Sequence, residues 1–187
     1  MWEILPGIEF ASHELLTFNL HPAHSLSLAR QYHLLDWVSA PVQTLLAAPL
    51  GRYTHHGNPA VEKLDYDVYM IIATAKESIA TERKRLGNHP PFPPNFDEEP
   101  FCAQHNTCKR VWTEKWFFNL VRRIHHPTTP LPMSLVPEVL EEIDHRGMNG
   151  VCKQSILTWL RDSCVQVRKE ENLIEETIAT VRNLFTL

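Results

Sequence analysis

Five residues at strict four-residue intervals, Cys108, Trp112, Trp116, Leu120 and Ile124, constrain this chain more than any other feature. Residues four apart fall on one face of an α-helix. The spacing therefore predicts a helix over about 108–124 whose single face carries two tryptophans, with Phe117 and Val121 widening it to a surface suited to burial. Such a face needs partners, and the rest of the chain offers helices. Ser25 can cap a helix to about His33, with Leu28 and Tyr32 on one side. Asp36 can cap the next, with Trp37, Val38, Val42, Leu45 and Leu46 at helical spacing and Pro41 tolerated in its first turn. A longer helix is expected from about Asp65 to Leu86, closed by Gly87-Asn88. Ser134 to about Arg146 forms another, with Pro137 in its first turn and Gly147 beyond its end. The last apolar series, Ile156, Leu160, Val167, Ile174, Ile178, Val181 and Phe185, spans the tail from Val151, with Lys169-Glu170-Glu171-Asn172 as an expected break. No strand pair with hairpin chemistry stands out, so the expected fold class is all-α, an irregular helical domain with a long C-terminal helix.

Prolines supply the punctuation. His89-Pro90-Pro91-Phe92-Pro93-Pro94 lacks amide donors and biases each preceding residue away from helix, so an extended connector is expected here. This divides the chain into an N-terminal helical subdomain (1–88), a Pro-rich connector (89–101) and a C-terminal helical subdomain (102–187). At 187 residues and 43% hydrophobic content, the chain suits one compact domain or two small ones. Its net charge of −4 disfavours non-specific nucleic-acid binding, which depends on neutralising phosphates. No apolar run approaches the roughly 20 residues that span a bilayer. Met1-Trp2-Glu3-Ile4-Leu5-Pro6 has no basic flank and reads as mature sequence, which makes the cytoplasm or nucleus the expected location. In that setting the four cysteines (102, 108, 152 and 164) are reduced thiols or metal ligands rather than a disulfide framework.

The most distinctive local motif is Cys102-x2-His105-x2-Cys108. Thiolates and imidazoles are preferred zinc ligands, and a tetrahedral site needs four of them. Cys102, His105 and Cys108 supply three within seven residues, behind a loop able to wrap around an ion. Cys152, beside Gly147 and Gly150, is the fourth candidate, with His145 in reserve. The alternative is plain packing: Cys108 as a small core residue on the tryptophan stripe and Cys102 as a loop thiol.

The histidine doublets His55-His56 and His125-His126 fit turn chemistry and helix termination, and neither has the spacing of a hydrolytic zinc site. There is no Gly-x-Ser-x-Gly elbow, Gly-rich phosphate loop or Rossmann fingerprint. The tail positions Ile174, Ile178, Val181 and Phe185 step by 4, 3 and 4, and any of them left uncovered would be the candidate partner surface.

Two stretches resemble the region following the BTB/POZ domain in BTB-domain proteins of basidiomycete fungi. The first is His21-Pro22 with Leu28-Ala29-Arg30-Gln31-Tyr32, then Leu34 through Pro41 around Trp37, and Leu64 through Glu77 with Ala73-x-Ala75-Lys76-Glu77. The second is Cys102-x2-His105-x2-Cys108-x3-Trp112-x3-Trp116, then His126-Pro127 and Gly147-Met148-x3-Cys152. Their succession over about residues 10–165 carries the resemblance. The BTB fold itself, expected upstream, is absent from this sequence, so its homodimerisation is not carried over. Asn149 stands where the family often has a further cysteine. The resemblance implies a non-catalytic adaptor module with a protein partner, presenting it to a ubiquitin ligase or a transcriptional complex. The alternatives are a zinc-stabilised regulatory domain associated with chromatin and a small hydrolase using His and Cys.

Overall fold

The computed structural model describes residues 20–47, 64–98 and 102–186. Met1–Pro6 and the His55-His56 doublet lie outside them. Among the described residues the fold is all-α, without a strand. Helix α1 is Pro22–Gln31, α2 Ser39–Ala47, α3 Tyr66–Asn88 and α4 His105–Lys115. A π-helical turn, Trp116–Leu120, leads directly into α5, Val121–Ile124. Then come α6, Val136–Glu142, α7, Gly150–Asp162, and α8, Val165–Thr186. Short 3-10 turns precede α2 (Leu35–Trp37) and α6 (Met133–Leu135).

The described residues form two compact units, divided between Ala73 and Thr74 and again between Glu176 and Thr177, the second unit being the stretch between the two divisions. The boundaries fall inside α3 and α8, whereas the proline pattern places the division at residues 89–101. The reason lies in the prolines' neighbours. Phe96 is only 2% exposed and belongs to the core of the second unit, with Phe92 packed beside it. Two aromatic rings thus draw the Pro-rich segment inward, and it runs straight only to Pro93 before turning through Pro94–Glu98.

In the first unit, α1 starts three residues ahead of Ser25. Pro22 takes the first helical position, where its missing N–H costs nothing, and the His21 ring caps the turn by accepting from Ala23 N–H at 3.3 Å. The helix closes on His33 in the left-handed region (φ 54°), with Leu34 N–H donating to Ala29 O at 2.9 Å. Ala23, Leu26, Ala29, Trp37, Val42, Leu45, Val68 and Ile72 are buried, together with Ile178, Val181 and Phe185 of α8. Arg182 secures that end of α8, donating through Nε to Leu35 O at 3.2 Å and through Nη2 to Ser39 Oγ at 2.9 Å. Ile178, Val181 and Phe185 are therefore core, as packing within the domain requires, and are not left uncovered for a partner.

The second unit is built around the stripe, whose five members are all buried, Trp112, Trp116, Leu120 and Ile124 completely. An α-helix of 3.6 residues per turn overshoots by about 40° at each four-residue step, so a strict stripe should wind off the face. The π turn takes up the drift. Val121 N–H donates to Trp116 O, five residues back, so this turn holds more residues and rotates the stripe the other way. The same widening leaves Phe117 43% and Phe118 74% exposed, against the expectation that Phe117 extends the buried face. Two further boundaries differ from the sequence reading. α6 ends at Glu142 rather than near Arg146, and the tail breaks at Ser163-Cys164 rather than at 169–172.

Glu170 explains why that second charged stretch stays helical. It is buried on α8, pairs with Arg83 of α3, and accepts the Met133 N–H at 2.9 Å.

Candidate metal centre

The turn ahead of α4 carries Cys102, and Gln104 N–H donates back to its sulfur at 3.3 Å. α4 opens with His105, and one turn on, Cys108 points into the core at 1% exposure. The other wall comes from the start of α7. Asn149 caps that helix, its Oδ1 accepting from Val151 N–H at 2.8 Å, and Cys152 follows in the first turn, fully buried. The two walls are tied together because the Asn149 N–H donates to Cys108 Sγ at 3.4 Å.

Three of the four sequence-predicted ligands thus converge. The sulfurs of Cys102, Cys108 and Cys152 lie within 4.8 Å of one another and can hold a metal ion. Cys102 Sγ and Cys108 Sγ are 3.8 Å apart. A tetrahedral zinc with Zn–S bonds of about 2.3 Å has an S···S edge of about 3.8 Å. The fourth, His105, is near but not part of that group. Its Nδ1 lies 3.9 Å from Cys152 Sγ, while the set whose atoms are all within 4.8 Å of one another holds only the three sulfurs. The ring would have to swing in to complete a tetrahedron. Phe96 stands edge-on to the His105 ring at 5.2 Å between centroids.

The electrostatics of the three thiols are unequal. The Gln104 N–H stabilises the Cys102 thiolate and holds its pKa below the ordinary thiol value. Burial pushes the Cys152 thiol up to about 12, helped by its hydrogen bonds to Cys102 and Cys108. Adjacent sulfurs cannot all ionise without a counter-charge. A dication would supply one and displace the remaining protons.

His145 and Cys164 fall outside this group. His145 stacks on Trp112 (5.5 Å, 21°), its Nδ1 donates to Ile143 O at 2.6 Å, and its buried Nε2 has no partner among the described residues. Burial holds its pKa below the usual imidazole value. Cys164 is a core thiol, 1% exposed, donating to Gln166 Oε1 at 3.3 Å. Motif spacing had no means of indicating the two backbone donors, Gln104 N–H and Asn149 N–H, because any residue type supplies an amide. Asn149 counts in the sequence as a ligand lost, yet its side chain is the cap that sets the start of α7.

Comparison with family models, with curated proteins and with solved structures finds no match to this chain. Among the described residues no helix is long and apolar enough to cross a membrane.

Proposed function

We propose that this chain is a zinc-stabilised, non-catalytic helical module that engages a protein partner. The observation that carries this reading is the convergence of the Cys102, Cys108 and Cys152 sulfurs, with the His105 imidazole beside Cys152. Soft thiolates favour zinc over magnesium or calcium. A Cys3His set fills all four tetrahedral positions and leaves none for a reacting water, so its work is in folding. The clamp would join segments separated by 152 − 108 = 44 residues. Because the site is assembled only in the folded chain, binding free energy becomes stability. A reducing compartment, cytoplasm or nucleus, is where three free thiols of this kind persist. The resemblance to the helical region after fungal BTB domains supports the interaction half of the reading, an adaptor for a ubiquitin ligase or a transcriptional complex.

Metal analysis of the full chain, purified without a His-tag, tests the metal half. About one zinc per chain is expected, and less than about half an equivalent overturns the closed site. Cobalt substitution should give thiolate-to-metal charge transfer and tetrahedral ligand-field bands, both lost in Cys108→Ser.

A further inference from the structure

Phe117 and Phe118 sit side by side on the π turn, 43% and 74% exposed, while their neighbours Trp116 and Leu120 are completely buried. Single exposed apolar residues are ordinary, but two adjacent phenylalanines directed outward by a π turn are not. What surrounds them is charged. Arg122 lies four residues beyond Phe118, about one turn along the same face, and Arg123 follows. Both arginines are exposed, and Lys115 lies half-buried ahead of the pair. None of these three cations makes an ion pair among the described residues, whereas Lys109 farther back on α4 is neutralised by Asp97. Glu114, one turn before Phe118, is the one acidic residue between His105 and Ile124.

From this patch we infer a docking surface for an acidic segment of a partner protein that carries an aromatic or aliphatic anchor. The inference rests on the interaction half of the proposed function and names the chemistry of the partner. Charge complementarity decides the occupant. Arginine's planar fork donates two parallel N–H bonds to a carboxylate, and two adjacent forks beside two rings suit carboxylates interleaved with apolar side chains. A nucleic acid would also stack on phenylalanine, but three cations on a chain of net charge −4 offer few phosphate contacts. The anchor would cover Phe118, and the flanking carboxylates would take Arg122 and Arg123.

The test uses the full chain as purified without a His-tag or added metal, and a fluorescein-labelled peptide of about 15 residues in which Asp and Glu alternate with Leu and Phe. Saturable binding is expected in fluorescence anisotropy at about 50 mM salt, weakening at about 300 mM. Phe118→Ser and the double substitution Arg122→Glu with Arg123→Glu should each weaken it by about tenfold or more. These positions are exposed, so helicity and zinc content should be unchanged. A peptide with Lys in place of the acids serves as control, and a labelled single-stranded RNA of similar length as competitor. The inference is overturned by absence of saturation, by binding indifferent to the substitutions, by equal binding of the Lys peptide, or by RNA binding more tightly through the same residues. Zinc content measured on the same samples keeps the two failures apart. Full zinc without peptide binding sinks the docking surface alone, and peptide binding without zinc sinks the metal centre alone.

Discussion

Replacing Glu170 with Ala should be among the most damaging single changes in the second unit. The Glu170 side chain is 8% exposed and that of its partner Arg83 20%. Truncation removes both contacts to the guanidinium, one of them from Nε at 3.4 Å, and strands the Met133 N–H that Glu170 Oε2 accepts at 2.9 Å. Breaking a buried pair from one side costs about 3–5 kcal/mol, because the surviving charge is left without compensation. Arg83 keeps some access to water, which places the expected loss near the lower end, about 3 kcal/mol. Glu170→Gln keeps one oxygen, which can still accept from Met133 N–H, but turns an NH2 toward the Arg83 guanidinium and loses the charge, so about 1–3 kcal/mol is expected. Arg83→Met combined with Glu170→Leu removes both charges and leaves the Met133 amide as the main debit, about 1–3 kcal/mol. The double variant should therefore be no less stable than Glu170→Ala, and with the single variants Arg83→Met and Glu170→Leu it should show a coupling energy of about 1–3 kcal/mol. Urea unfolding followed by tryptophan fluorescence reports it, since Trp112, Trp116 and Trp159 all lie in this unit. A Glu170→Ala cost below about 1 kcal/mol, together with additivity within about 0.5 kcal/mol, would refute the reasoning.

Trp116→Ala should cost about 3–5 kcal/mol, as expected for a completely buried indole, measured by the same unfolding curve. Trp116→Phe isolates the hydrogen bond from Nε1 to Gly87 O at 3.2 Å and should cost about 1–3 kcal/mol, because that carbonyl is left unpaired in a buried setting. His145 has a folded-state pKa held down by burial, so the unfolded chain binds its proton first as pH falls below 6.5. Its contribution is therefore complete above pH 6.5 and lost on acidification, and His145→Phe should flatten the decline of the melting temperature in that range. Zinc removal by a chelator at neutral pH should lower the melting temperature, and Cys152→Ser should abolish the difference; an unchanged melt on chelation would count against the clamp.

Periodic burial was the most legible part of this protein. Trp112, Trp116, Leu120 and Ile124 are core residues because a four-residue repeat can be hidden only on one helical face. The cysteines were legible as ligand types at workable spacing, and three of them meet. What pattern alone did not convey is where backbone polarity and buried charge overrule it. The Glu170 stretch looks like a solvated break until Arg83, 87 residues away, is placed beside it. The Ser163-Cys164 interruption carries neither proline nor glycine. The tail series fits both core packing and a partner-facing seam, because the sequence alone does not say that Ile178, Val181 and Phe185 are covered.

The π turn can be viewed as an insertion that the helix has absorbed. Deleting one residue from it, such as Asn119, would convert Trp116–Val121 to ordinary α geometry while moving Leu120 and Ile124 one place toward the N-terminus. The deletion should therefore leave the two tryptophans seated and preserve the downstream core, while drawing Phe117 back toward the buried face and leaving Phe118, about 200° around the helix from Trp116, exposed. A length change, rather than a substitution, would then separate the fold of this unit from what its surface displays.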